Sequence, residues 1–396
     1  MSVPTTETTG IPERPHGGFD RIPLARPSVP NPDRVAADVE RILGSGVLTN
    51  GPYVRELERL AAEYLAVKHA IAVSSCTSGL MLVLRAADLA GDVIVPSFTF
   101  AATAHAVAWN GLRPVFADID PETLTLSPHA ALRAMTVRTS AILATHIFGT
   151  PCDTEALENA ARSHGLRLFY DAAHAFGSRR ADVPIGRFGH AEVFSLSPTK
   201  MLVAGEGGII ATNDDELAER CRIGRDYANP GDYDCRFVGL NARMSEVHAA
   251  TALNSFNGVD ERVERRNAIA DRYQERLGRV PGIGFAVVRD GDRSTYKDFT
   301  VLVDPIDFGL IAAELAEALA DVGIETRRYY APPVHEMQAY RRLTGHASDL
   351  LITEVASSRV ISLPMWSEMS DEHVDTVVRA IARVYDVGVS ERRTSA

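Results

Sequence analysis

Between residues 32 and 259 short, continuous apolar runs alternate with segments of helical period. Residues 71–74, 93–96, 114–117, 141–144, 166–170, 193–196 and 208–211 read as strands, and 78–89, 99–109 and 154–164 read as helices between them. Strands that lack a polar alternation are buried on both faces. The pattern therefore predicts an α/β fold with a mostly parallel sheet covered by helices, whose ligands collect at the carboxyl ends of the strands. A long helical stretch, 245–277, follows and carries alternating charge around Asp260 to Arg266. Beyond it, 298–303, 310–321, 324–328 and 371–387 read as strand, helix, strand and helix, which predicts a smaller α+β carboxyl-terminal domain. Since a long helix often bridges domains, the boundary is placed near residue 260. A large domain then spans 27–260 and a small one 261–396, after a mobile tail, 1–26, rich in Thr, Pro and Gly.

The length of 396 residues agrees with two domains, because single cores stop growing well below it. The formal net charge of −11 argues against binding nucleic acid or an anionic membrane through bulk charge, which needs a basic face. No run approaches the length of a membrane span, and the amino terminus has no apolar core of a secretory signal. Cys76, Cys152, Cys221 and Cys235 show no CxxC spacing, so neither a disulfide framework nor a zinc site is expected, and a reducing cytoplasm fits. The histidines lack HExxH spacing, and no metal is expected. His146, at a strand end, reads as a buried, satisfied histidine before it reads as part of a site.

Three segments change the picture. Ser195-Leu-Ser-Pro-Thr-Lys200 ends a strand and delivers Lys200 to the sheet's carboxyl edge, and Gly205-Glu-Gly-Gly208 follows at once. Taken alone, such a lysine is a surface residue after a turn. Asp171 ends another strand; alone it is a helix cap, and in company it is a carboxylate able to hold a pyridinium nitrogen protonated. Ser74-Ser-Cys-Thr-Ser-Gly79 joins a strand to a helix amino terminus, where free N–H groups attract an anion. Neither GxxxxGK[ST] nor a GxGxxG after a strand is present, which disfavours a P-loop or a nicotinamide dinucleotide fold. An anion cradle, an acid and an amine at one sheet edge suit pyridoxal 5'-phosphate: phosphate at the Thr77 helix start, ring nitrogen on Asp171, aldehyde on Lys200. Phe100 is positioned as a flat partner for the ring, with a core phenylalanine as the alternative.

These segments resemble those of the DegT/DnrJ/EryC1/StrS family of fold-type-I, pyridoxal-phosphate-dependent sugar aminotransferases, the aspartate aminotransferase-like fold. The resemblance runs in family order from Gly46-Val-Leu-Thr-Asn-Gly-Pro52 through Pro96-Ser-Phe-Thr-Phe100, Asp118-Ile-Asp120, Asp171-Ala-Ala-His174 and Ser195 to Lys200. It continues through Leu240-Asn-Ala-Arg-Met-Ser-Glu246 and Tyr330-Ala-Pro-Pro-Val-His335 to Leu363-Pro364, covering nearly the whole chain. It implies that Lys200 forms the Schiff base with the cofactor and, once released, shuttles the proton. It implies that Asp171 binds the ring nitrogen, Phe100 stacks on the ring, Cys76, Thr77 and Ser195 contact the phosphate, and His174 sits beside the ring oxygen. Asn241 would reach the phosphate of the neighbouring subunit, which makes a homodimer with shared active sites the expected unit. Ser197, Tyr330 and His335 would face the substrate. Cys76 and Gly79 depart from the residues common among relatives, but both are small.

The resemblance further implies L-glutamate as amino donor, ping-pong kinetics and a nucleotide-linked keto-deoxysugar as acceptor. The run Arg225-Asp-Tyr-Ala-Asn-Pro-Gly-Asp-Tyr-Asp234 leading to Asn241 resembles the branch that aminates C4 of dTDP-4-keto-6-deoxyglucose. Arg225, Arg243, Arg327 and Arg328 are candidate cations for the diphosphate, with a surface salt bridge as the plainer reading of each. A 3-keto sugar or keto-inositol aminotransferase, as in antibiotic-precursor pathways, and a non-catalytic binding protein are the rival readings. A sister group of dehydratases carries His where this chain has Lys200.

Overall fold

A computed structural model describes residues 21–28, 31–342 and 350–395. Its main sheet has seven strands: β1 (His69–Val73), β2 (Asp92–Pro96), β3 (Arg113–Ala117), β4 (Thr139–Thr145), β5 (Arg167–Asp171), β8 (Ala191–Ser195) and β9 (Gly208–Thr212). Between β5 and β8 lies a small hairpin of β6 (Arg179–Arg180) and β7 (Val183–Pro184). The order in the sheet is β1-β9-β8-β5-β4-β2-β3, and β9 alone runs antiparallel to its neighbours. With that exception the carboxyl ends of all strands share one edge. The α/β expectation is met, and the reason is visible in β2 and β8, buried at every position.

Of four early helices, α1 (Pro32–Ser45), α2 (Pro52–Leu65), α3 (Cys76–Ala86) and α4 (Ala101–Trp109), α3 and α4 pack on one face of the sheet and α2 on the other. Helix α3 starts in a capping box, with Ser78 N donating to Ser75 Oγ and Ser75 N donating to Ser78 Oγ, each at 3.0 Å. The buried Glu246 carboxylate caps α2 from a distant segment, accepting from the N–H groups of Gly51, Tyr53 and Val54 at 2.8 to 3.0 Å.

The expected single helix 245–277 is two, Glu246–Phe256 and Val259–Leu277, broken where Gly258 takes φ +81°. Periodicity resumes on both sides of Gly258, which hides the break from a pattern reading. The second of these helices serves both halves of the molecule. Val259 and Val263 join a core on the main sheet, whereas Ile269, Tyr273 and Leu277 join the core of a second sheet. That sheet is antiparallel and consists of β10 (Ile283–Phe285), β11 (Phe299–Val303) and β12 (Val360–Leu363).

Two expectations fail here. Residues 324–328 form no strand, making only single bridges, Ile22 to Ile324 and Arg327 to Ser362. Residues 21–26, expected in the mobile tail, are tied to the second sheet's region: Ile22 is buried, Ile22 N donates to Gly323 O at 3.0 Å, and Met365 N donates to Leu24 O at 2.9 Å. Residues 1–20 of that tail lie outside the described residues.

Candidate active site

A cavity of about 320 Å³ opens at the carboxyl edge of the main sheet. Ser75, Cys76 and Thr77 enter it from the β1–α3 turn, Thr99 and Phe100 from the segment after β2, and Asp171 and His174 from the end of β5. Ser195, Ser197 and Lys200 arrive from the end of β8. The opposite wall comes from the second part of the chain, as Lys297, Asp298, Tyr329 and Tyr330.

Asp171 is buried and held on three sides. Thr103 Oγ1 donates to its Oδ2 at 2.7 Å, Ala173 N donates to its Oδ1 at 3.1 Å, and the Cys76 thiol lies 3.9 Å from Oδ1. Burial pushes the carboxyl up from its usual range, against the two hydrogen bonds and the nearby Lys200. A cation at its open side would restore the carboxylate. Burial also pushes the Cys76 thiol up, so it serves as a small apolar wall rather than a nucleophile.

Lys200 sits in a turn in which its N donates to Ser197 O at 3.0 Å, and its Nζ has no hydrogen bond or ion pair among the described residues. Burial and then the Lys297 cation lower its amine to about 8, and Asp298, Cys76 and Asp171 oppose that shift. Such an amine has a substantial neutral fraction near neutral pH. Lys297 differs sharply: its ammonium is paired with Asp298 Oδ1 at 2.8 Å and lies 5.6 Å from the Tyr329 ring centre. Phe148 N donates to His174 Nδ1 at 3.1 Å, so Nε2 carries the ring proton. Burial, Lys200 and Lys297 keep that imidazole neutral, holding it well below the usual histidine range.

At the start of α3 the N–H groups of Cys76 and Thr77 find no acceptor among the described residues, while Ser75 caps the helix behind them. A Cβ on Gly208 would stand 2.7 Å from Cys76 N, so glycine alone lets β9 pack against this turn. Phe100 is 60% exposed beside the cavity, a flat apolar face left uncovered. Unfilled N–H groups at a helix start, a buried acid, an unpartnered amine of lowered basicity and an open aromatic face match the phosphate, ring nitrogen, aldehyde and ring of pyridoxal 5'-phosphate.

Nine of the expected site residues thus meet in one cavity: Cys76, Thr77, Phe100, Asp171, His174, Ser195, Ser197, Lys200 and Tyr330. Three stand outside it in a single chain. Asn241 is exposed and bridges to Asp226. Arg243 pairs with Asp226 at 2.7 Å and lies over the Tyr227 ring. His335 Nδ1 lies 2.6 Å from Ser97 Oγ and its Nε2 3.5 Å from Glu354, so it ties the second part of the chain to the end of β2 instead of facing the cavity.

Among the other candidates, Arg225 is buried against Glu58 at 2.5 Å and Ala72 O at 2.7 Å, which excludes it as a diphosphate cation. Arg328 is spent on the carbonyls of Ser357 and Ser358. Arg327 is exposed, with no side-chain partner among the described residues. His146 is fully buried, 3.1 Å from Glu192 and accepting from Cys152 N, as the plainer reading held. Lys297, Asp298 and Tyr329 escaped sequence reasoning; the one signal was a charged pair set directly before a largely apolar strand.

The DegT/DnrJ/EryC1/StrS aminotransferase family model matches residues 32–382. The chain is 35% identical over 360 residues to the spore coat polysaccharide biosynthesis protein SpsC of Bacillus subtilis (strain 168), covering 87% of this chain and 92% of that one. It is 32% identical over 362 residues to the dTDP-4-amino-4,6-dideoxy-D-glucose transaminase of Shigella dysenteriae, covering 91% and 98%. Among solved structures, DesI, crystallised with its TDP-sugar product, superposes with a TM-score of 0.89 at 36% identity over 96% of this chain and 97% of that one. DesV of S. venezuelae gives 0.84 at 33% identity over 89% and 94%.

Proposed function

The chain belongs to the DegT/DnrJ/EryC1/StrS aminotransferase family, and from that premise we propose that it moves the amino group of L-glutamate to C4 of dTDP-4-keto-6-deoxyglucose. It is a sugar aminotransferase whose cofactor is pyridoxal 5'-phosphate. The observation that carries the reading is the meeting of an unpartnered Lys200, a buried Asp171 and the open start of α3 in one cavity. Similarity to a dTDP-aminosugar transaminase and to DesI supports the choice of sugar.

When bound, the cofactor supplies a carbonyl that takes up an amine and a ring that withdraws electrons from the donor's Cα. The chain's own residues do the rest. The N–H groups of Cys76 and Thr77, with the Ser195 hydroxyl, would hold the phosphate. Asp171, oriented by Thr103 and Ala173, would keep a proton on the ring nitrogen. Phe100 would cover one ring face, and His174 would offer its Nε2 proton to the ring oxygen. Lys200, an amine of lowered basicity, would take the proton from the donor's Cα in its neutral form and return it at C4' of the cofactor as general base and acid.

The unit proposed is a homodimer, in which the exposed Asn241 completes the partner's phosphate site. Arg327 is the proposed cation for the nucleotide diphosphate. No helix among the described residues is long and apolar enough to cross a membrane. The test is incubation with L-glutamate and dTDP-4-keto-6-deoxyglucose, reading the product by NMR. Amination at C4 is expected. Amination at C3, or of a keto-inositol alone, would overturn the substrate, and a protein whose absorbance ignores L-glutamate would overturn the activity.

A further inference from the structure

We propose that the buried hydroxyls of Thr145, Thr99 and Thr103 form a one-way donor chain that ends on Asp171 and sets how firmly the cofactor's ring nitrogen holds its proton, an inference that rests on the role of Asp171 proposed above. Thr99 and Thr103 are fully buried, and Thr145 is 5% exposed. Thr103 Oγ1 donates to Asp171 Oδ2 at 2.7 Å and lies 2.9 Å from Thr99 Oγ1, which in turn lies 3.2 Å from Thr145 Oγ1. None of the three hydroxyls has another hydrogen-bond partner among the described residues. The main sheet places them. Strands β5, β4 and β2 are neighbours in that order; Asp171 ends β5, Thr145 ends β4 in register with it, and Thr99 lies in the segment that leaves β2. Thr103 follows one helical turn later in α4 and leads the chain back to Asp171.

Each hydroxyl carries one proton, and that fixes the direction. With the Thr103 proton on the carboxylate, only Thr99 can supply a proton to the contact between them, and only Thr145 can supply one to the next. Any other order leaves two oxygens facing each other with no proton between. An ionised Asp171 thus aligns all three hydroxyls, and each bond polarises the one that follows. Burial pushes the Asp171 carboxyl up, and the Thr103 hydrogen bond is the strongest of the interactions that oppose it. Weakening the chain therefore raises the carboxylate's affinity for the proton it shares with the ring nitrogen. The other groups that act on Asp171 are the Ala173 N–H, the Cys76 thiol, Lys200 and His146, and none of them belongs to the chain. Thr99 and Thr145 are positioning residues that act through Thr103.

The experiment loads wild type and variants with pyridoxal 5'-phosphate isotopically labelled at the ring nitrogen and reads that nitrogen by NMR in the resting holoenzyme at neutral pH. A titration of the cofactor onto the cofactor-free protein gives its affinity. Wild type should show the signal of a protonated ring. Thr103→Val should move the signal towards the unprotonated ring and weaken cofactor binding about ten- to hundredfold, the scale of a hydrogen bond to a charged group. Thr103→Ser keeps the hydroxyl and should restore both. Thr99→Val keeps the shape and cuts the chain in its middle, so its signal should move the same way by less, with cofactor binding weakened about two- to threefold. Thr145→Val cuts the chain from another strand, with an effect in the same direction and no larger, and keeps the test open if Thr99→Val does not fold. A wild-type signal in whichever of these two variants folds overturns the chain. So does a Thr103→Ser variant as displaced as Thr103→Val, which would mark a packing effect. If Asp171→Asn leaves the ring signal unchanged, the role of Asp171 is contradicted, and this proposal falls with it.

Discussion

The two walls of the cavity are built by different physics. On one, Asp171 and Ser195 end the buried strands β5 and β8, and Thr77 and Lys200 lie in the segments that leave β1 and β8, so the register of the main sheet sets where each starts. On the other, Lys297, Asp298, Tyr329 and Tyr330 come from loops braced by side chains: Arg266 on the Lys297 carbonyl, and Tyr330 packed parallel to Phe148 with 6.2 Å between ring centres. In the proposed reading the sheet-edge wall would hold what never changes, the cofactor. The braced wall would face what differs between half-reactions, and loops vary without disturbing a sheet. Two cavity lysines separate by the same logic, since Lys200 is unpartnered while Lys297 is committed to Asp298.

The largest effect is expected where the comparison is starkest. Lys200→Ala should lower both half-reactions about a thousandfold or more in single-turnover absorbance traces, because the other lysine lining the cavity, Lys297, is paired with Asp298. Full transamination in that variant would end the division of roles between the walls.

A smaller effect tests how one wall acts on the other. In the cofactor-free protein the reactivity of Lys200 towards an amine acylating reagent, quantified by peptide mass spectrometry, should rise with pH around a midpoint near 8. Lys297→Met removes a neighbouring cation that favours the neutral amine and leaves Asp298 unpaired, and both changes favour the ammonium. The midpoint should therefore move up, by about one unit. A midpoint that stays or falls would separate the two lysines electrostatically.

His335→Asn should change either half-reaction by less than about threefold and cost about 1 kcal/mol of stability by thermal unfolding, because its ring meets Ser97 and Glu354 and not the cavity. A selective loss against the sugar would move His335 into the substrate wall, where sequence reasoning had placed it.

The same contrast explains how much was legible beforehand. Strands such as β2 and β8 are buried throughout and mostly apolar because helices cover both faces, and residues at their ends inherit a position from that pattern. Asp171 and Lys200 could therefore be assigned to one edge. The strands β10 and β12 are short, and β10 is only half-buried, so their pattern is weak. Residues 324–328 have the composition of a strand but meet a different neighbour at each end, Ile22 and Ser362. Lys297 and Asp298 carried no site signal, since adjacency in sequence does not reveal that Arg266 and Phe148 draw their backbone inward. Arg225 was misread for the converse reason: an arginine beside charged and polar residues turns out to be sealed against Glu58.

The most direct test asks which lysine carries the cofactor. Borohydride reduction of the yellow holoenzyme fixes the pyridoxyl group to the amine that holds it, and peptide mapping by mass spectrometry locates it. The account predicts the label on Lys200 and none on Lys297; a label on Lys297 would contradict it.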